Sequence, residues 1–177
     1  MSQKELPNEN KSYETERLIL RPMSLEDKEL IFELYNSPKF IRYIGDRNIK
    51  TVDAAEDYIR NKFIPQIERL GYGNYLVMTK EGNNKIGGVG IFERDGLDVV
   101  DIGYSLLEEF EGQGYAYEAA QKVKAIAMEE FGLSKISAII SKDNLPSQKL
   151  IEKLGLKFQK HITLPGEDEE LNYYETD

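Results

Sequence analysis

Residues 74–107 hold three strand-like runs, NYLVMTK, KIGGVGIFERD and DVVDIGYSLL, joined by EGNN and DG. Both connectors carry the Asn/Asp-plus-Gly chemistry of tight hairpin turns, so the runs are expected to form consecutive antiparallel strands. Directly behind them stands EEFEGQGYAYEAAQ, in which Gly112 and Gly114 precede a helical pattern from Tyr115 to about Phe131. There the apolar positions Ala116, Ala120, Val123 and Ala127, widened by Ala119 and Ile126, recur every three or four residues, and Gly132 sits where a C-cap belongs.

The remaining segments fit around this unit. ERLILRPMS reads as a strand near a sheet edge, stopped at Arg21-Pro22. A helix should follow, with Ser24 and Asp27 as its N-terminal cap pair and Pro38 as its end. A second helix is expected from Thr51 to Gly71, kinked or interrupted by Pro65. KISAIIS is a short strand, SQKLIEKLG a short helix ending at Gly155, and LKFQKHITL with ELNYYET a closing hairpin. The order βαα, βββ, α, β, α, ββ makes one α+β domain.

Length and composition agree with that reading. The chain has 177 residues, 40% hydrophobic and 31% charged, enough for one substantial core. The polar opening MSQKELPNENKSYETE lacks a signal-peptide core and reads as a flexible lead-in over 1–14, with the domain over 15–177. With no cysteine and one histidine, His161, thiolate metal sites, disulfides and a cysteine nucleophile are excluded, and no metal is expected. A net charge of −9 argues against nucleic acid or an anionic membrane as partner. A cytoplasmic location is the expectation.

Gly112 and Gly114 admit backbone angles that other residues avoid, and they leave room beside the main chain. The helix that follows begins with N–H groups that have no intrahelical partner, a natural phosphate site. Spacing alone also fits a loop that simply turns into a helix. Two phosphate motifs are absent: no Gly-Lys-Ser/Thr follows, and the place of a third dinucleotide-type glycine is held by Tyr117.

The combination is more specific. DVVDIGYSLLEEFEGQGYAYEAA, followed by KDNLPSQKLIEKLGLKF, resembles the GNAT superfamily of acetyl-coenzyme A-dependent N-acetyltransferases. The opening TERLILRPMSLED brings the chain nearest the branch of ribosomal-protein N-terminal acetyltransferases, and the resemblance runs from about Thr15 to Tyr174. It implies a mixed, mostly antiparallel, centrally splayed sheet of about seven strands with about four helices. It also implies that the loop from Glu111 to Ala116, through Gly112, Gln113, Gly114, Tyr115 and Ala116, holds the coenzyme A pyrophosphate on backbone N–H groups. The main chain at Tyr104, Ser105 and Leu106 would pair with the pantetheine arm as a strand would. Asn144 matches the asparagine that binds that arm, with Ser147 one helical turn beyond. Two positions depart from the family. Glu111 replaces the usual Gln or Arg, and Ile151 stands where many relatives carry the tyrosine that protonates the leaving thiolate.

Acetyl transfer needs a neutral amine, a donor for the thioester oxygen and a proton for the thiolate. A backbone N–H near Tyr104 to Leu106 is the expected oxyanion donor. Ser147 is the best-placed hydroxyl once Ile151 is set aside, although a serine at a helix start has a plain structural reading. Asp101 and Glu93 are the candidate bases, with water as the alternative. Alternation sets Asp101 on one face with Gly103 and Ser105, and Ile102 and Tyr104 on the other. Phe40, Tyr43, Ile44 and the acidic run Glu167 to Glu170 should border the acceptor, and His161 is expected at the surface. A protein N-terminal α-amine is the first choice of acceptor. A polyamine, amino acid or aminoglycoside is the second, and a non-catalytic coenzyme A-binding domain is the rival of a different class. A homodimer is suggested by the resemblance alone.

Overall fold

The structure is a computed structural model and describes residues 11–177. Most of the expected lead-in, residues 1–10, lies outside the described residues. Its end does not behave as a lead-in. Tyr13–Glu14 forms a short strand, β1, paired with β2 (Leu18–Pro22), and Tyr13 is buried edge-on against Tyr75.

A helical block follows β2. Asp27 accepts from Ser24 N at 2.9 Å, so the expected cap pair is present, and α1 runs Lys28–Tyr35. The Asp27 carboxylate is fully buried and also takes Arg21 and Lys85, each at 2.8 Å. Pro38 does not end α1. It opens a further helix, α2 (Pro38–Tyr43), capped by the Ser37 hydroxyl. A proline costs nothing in a first helical turn, where its missing N–H would have had no partner.

The next helix is divided. α3 (Val52–Tyr58) passes through a wider π turn at Ile59–Phe63 into α4 (Ile64–Leu70). Pro65 cannot donate to the preceding turn and its ring would press on the carbonyl four residues back. Widening the turn relieves both problems without breaking the rod. The expected interruption thus takes the form of a π turn.

The strands β3 (Asn74–Thr79), β4 (Lys85–Phe92) and β5 (Asp101–Leu106) form the expected antiparallel meander. After α5 (Tyr115–Glu129) come β6 (Ser137–Ser141), α6 (Leu145–Lys153), β7 (Lys157–Thr163) and β8 (Glu170–Glu175). Sheet order is β1-β2-β3-β4-β5-β6-β8-β7, antiparallel throughout except between β5 and β6. The mixed, mostly antiparallel, split sheet is therefore as expected, with β1 and α2 as additions.

The sheet separates two apolar layers. Leu18, Leu20, Val77, Ile91 and Ile102 meet Ala120, Val123 and Ala127 of α5 and Ile151 of α6. On the other face Met23 and Leu76 meet Ile31, Leu34, Ala55, Ile59 and Phe63 of the α1–α4 block. Each layer buries a stripe that its helices could not hide alone.

Candidate active site

β5 and β6 are joined by a single parallel pair, Asp101 with Ser137. The seam is held by Ser137 N donating to Val100 O at 2.8 Å and by the Ser137 hydroxyl against the Val99 and Val100 carbonyls at 3.1 Å. Beyond that point the strands diverge. The edge of β5 at Tyr104, Ser105 and Leu106 and the edge of β6 at Ile139, Ile140 and Ser141 both face a cavity of 710 Å3. An open strand edge in a cavity offers main-chain donors and acceptors to an extended ligand.

The cavity runs out to the glycine loop. Gly112 and Gly114 have φ of 77° and 84°, angles that burden any residue with a Cβ. A side-chain carbon at Gly112 would meet nothing, and at Gly114 it would meet only the Arg17 guanidinium at 3.3 Å, so conformation rather than crowding demands glycine. Gly114 caps α5 without a side chain, and the N–H groups of Tyr115, Ala116 and Tyr117 have no partner among the described residues. Ala116, expected in the apolar stripe, is only half-buried and lines the cavity.

Two cations stand beside this loop. Arg17 donates to Gln113 O at 2.9 Å and to Glu118 at 2.8 Å, and lies 4.4 Å from the Tyr115 ring centre. Lys39 of α2 pairs with Glu111. The misplaced negative charge of the loop is thereby neutralised across the cavity, by a helix that sequence reasoning had not expected. Tyr117 is covered in turn by Lys153, 4.0 Å from its ring centre.

On the far side of the split, Asn144 caps α6, its side chain accepting from Ser147 N at 3.4 Å. The Tyr104 hydroxyl donates to Ser147 Oγ at 2.8 Å, which leaves the serine's own proton free. Burial pushes the Tyr104 hydroxyl up, against the opposing effect of Ser147, so it stays a donor at neutral pH. Sequence reasoning had assigned Tyr104 a main-chain role only. Its side chain points to the α6 layer, as alternation placed it, but only the packing of α6 shows that it reaches Ser147. Ile151 is wholly buried and offers nothing to the cavity.

The two candidate bases fare differently from expectation. Asp101 is 2% exposed and its carboxylate is taken by Arg94 Nε and Nη2 at 3.1 and 3.3 Å. Burial pushes its carboxyl up, and Arg94 pulls the other way. Glu93 is not on a central strand, since β4 stops at Phe92. It pairs with Arg69 at 2.6 Å near the surface, and that arginine holds it below the usual carboxylate range. Neither is a free, poised base.

Phe40, Tyr43 and Ile44 also line the cavity, as do Glu167 and Glu169, while Glu170 is paired with Lys142. α2 straddles the split, reaching β6 through Ser141 Oγ on the Tyr43 carbonyl at 3.2 Å and Arg42 on Asp143 at 3.0 Å. His161 lies on exposed β7 against Phe158 and does not border the cavity.

The sequence model of the acetyltransferase (GNAT) domain matches residues 17–157. The chain belongs to the GNAT acetyltransferases. It is 32% identical over 153 residues to the uncharacterized N-acetyltransferase YoaA of Bacillus subtilis, covering 85% of this chain and 84% of that protein. An acetyltransferase from Agrobacterium tumefaciens str. C58 has the same fold, with a TM-score of 0.80 at 24% identity over 94% of each chain. So does RimL, a ribosomal L7/L12 alpha-N-protein acetyltransferase solved with coenzyme A, with a TM-score of 0.78 at 16% identity over 93% of this chain and 97% of that one. GNAT enzymes use acetyl-coenzyme A, and acetyl transfer to an amine is their general reaction. The unpartnered N–H groups at the head of α5 and the open edge of β5 suit the two ends of that molecule. No helix among the described residues is long and apolar enough to cross a membrane.

Proposed function

We propose that this GNAT enzyme acetylates an α-amine, a protein N-terminus in the first place and a small amine in the second, by direct attack within a ternary complex. The observation that carries this is the Asp101–Arg94 pair, which leaves the buried part of the cavity without a free carboxylate. An acceptor that needs little help losing its proton suits such a site. At pH 7 roughly a tenth of an α-amine of pKa near 8 is neutral, against about one in a few thousand for a lysine-type amine.

On this reading each group has its own role. The N–H groups from Gln113 to Ala116 hold the pyrophosphate, with Gly112 and Gly114 supplying the turn. The main chain of Tyr104, Ser105 and Leu106 holds the pantetheine arm and supplies the oxyanion donor, and Asn144 steadies the arm from α6. Ser147, its oxygen occupied by Tyr104, turns its proton to the departing sulphur. Water takes the amine proton. In this reading Glu93 has no part in the chemistry, and Asp101 positions Arg94. The protein works in the cytoplasm, and nothing in its charge of −9 suits nucleic acid.

Calorimetric titration with acetyl-coenzyme A, beside Gly114→Trp, is the first test, followed by thiol release on peptides and polyamines. Micromolar binding that the substitution abolishes, with turnover on α-amines, supports the reading. Binding without turnover on any amine would leave a coenzyme A-binding domain, and turnover confined to polyamines would move the acceptor to the second class.

A further inference from the structure

The charges that line the cavity sort into pairs and a remainder. Lys39 is paired with Glu111, Arg94 with Asp101, and Glu93 with Arg69 outside the cavity. Among the described residues, Arg47 and the exposed Lys62 form no ion pair with a carboxylate, and Glu167 and Glu169 on the loop before β8 form none with a cation. Unpaired charge of both signs therefore faces the same space.

Arg47 is the better placed of the two cations. It lies in the segment between α2 and α3 and is half-buried. Its guanidinium folds back over Gly45, where a side-chain carbon would stand 3.2 Å from Nη1. Next to it is an aromatic wall. Tyr35 stacks on Phe40 at 4.0 Å and meets Tyr58 edge-on at 5.6 Å. The hydroxyls of Tyr35 and Tyr58 make no hydrogen bond among the described residues, and both line the cavity. The charges of Arg47 and Arg94 both reach the Tyr35 hydroxyl, and burial keeps that hydroxyl protonated. One guanidinium and two hydroxyls thus present donors with no acceptor, in a cavity that also holds two carboxylates outside any ion pair, of which Glu167 is near enough to Arg94 to feel its charge.

We propose that this end of the cavity reads a carboxylate on the acceptor, so that the preferred substrate is an α-amine with a carboxylate within about one residue's reach. The inference rests on the α-amine reading given above. Arg47 offers the planar fork that a carboxylate accepts in two places, and the tyrosine hydroxyls supply further donors. Glu167 and Glu169 draw the ammonium end. A purely cationic acceptor would leave Arg47 facing like charge, and a purely anionic one would face the loop carboxylates. The carboxylate has two sources, an acidic first residue of a polypeptide or the α-carboxylate of a free amino acid.

The test is steady-state thiol release with acetyl-coenzyme A on matched acceptors. Peptides identical except for Asp or Asn, or Glu or Gln, at the first position form one arm. Free amino acids and their α-amides form the other, compared per neutral amine because the free carboxylate raises the pKa of its own ammonium. In the wild type, the carboxylate member of at least one arm should have a kcat/KM about 10- to 100-fold higher than its amide, carried mainly by KM. The arm that shows the gap names the source. Arg47→Gln should shrink that ratio toward one while acetyl-coenzyme A affinity, read by calorimetry, stays within about twofold. Arg47→Lys should restore part of the gap. Equal rates on acid and amide by the wild type would overturn the proposal whatever the variants do, and would leave the α-amine reading standing. Loss of turnover on both members in equal proportion in Arg47→Gln would also overturn it. Failure on every α-amine beside turnover of polyamines would remove the α-amine reading itself, and the carboxylate with it.

Discussion

Tyr104 donates to Ser147, and the proposed role of that serine as proton donor to the leaving thiolate gives each of the two hydroxyls its own signature. Ser147→Ala should lower kcat about 10-fold, with acetyl-coenzyme A affinity within about threefold of wild type. Tyr104→Phe removes the donor behind the serine and should cost less, about two- to fivefold in kcat. Single-turnover thiol release on both variants checks this, and an unchanged kcat in Ser147→Ala would make the serine a helix-start residue and no more. Restoring the family tyrosine will not help. Ile151 is completely buried between α6 and the sheet, so Ile151→Tyr should overpack that layer and cost about 1–3 kcal/mol, seen as a lower Tm without a gain in kcat. At this scale the sequence was half legible. Asn144, Ser147 and the glycines stand where their motifs placed them. The side-chain partners Arg94 and Lys39 carried no local signal, because each pairs with a residue from another segment.

Helix α2, which with β1 is new relative to the sequence reading, walls one side of the site. Its Lys39 reaches the glycine loop while its C-terminal end is tied to β6 at Ser141 and to the turn behind it at Asp143. If Lys39 neutralises Glu111 beside a bound pyrophosphate, Lys39→Ala should weaken acetyl-coenzyme A binding about three- to fivefold, consistent with an exposed ion pair worth up to about 1 kcal/mol. Glu111→Gln should tighten it, and both effects should fade as salt rises toward 0.5 M or so. Titration at two salt concentrations reads both. A second knot of charge joins β2, α1 and β4 through Asp27, which Arg21 and Lys85 clasp from either side. Burial alone would push this carboxyl up, but the hydrogen bonds from Arg21, Lys85 and Ser24 outweigh it and hold it below its ordinary 3.8. A depressed folded value means that its contribution to stability is present above that ordinary value and disappears as pH falls through the folded one. Asp27→Asn should therefore cost about 3 kcal/mol near pH 7, and urea melts should show the gap to wild type closing only well into the acid range.

Across the whole molecule, a long antiparallel half-sheet and a three-stranded one meet at one residue pair, and the buried Asp101–Arg94 ion pair sits at that seam. Removing the carboxylate leaves the half-buried Arg94 guanidinium without its partner, so Asp101→Asn should destabilise the protein by about 1–3 kcal/mol while kcat, measured below the new Tm, falls less than tenfold. A kcat lower by a hundredfold or more with Tm preserved would instead return Asp101 to the role of base. The fold was legible for a local reason. The apolar runs of β3 to β5, the EGNN and DG turns and the spacing along α5 all act within a few residues, and the hydrophobic layers follow from them. The glycine loop was legible for the same reason, since positive φ at Gly112 and Gly114 is a property of the backbone there. Pro38 and Pro65 read less well, because a proline limits its own turn without saying whether the chain stops, starts a helix or widens one. Composition excluded a cysteine nucleophile outright, as no folding can supply a cysteine the chain lacks. What tertiary structure alone decided is which charges remain free. Asp101 and Glu93 look equally able to act as bases along the chain, yet each is claimed by an arginine from a neighbouring segment, and Arg47 is left over. Coulomb energy depends on distance in space, and no periodicity in sequence records it.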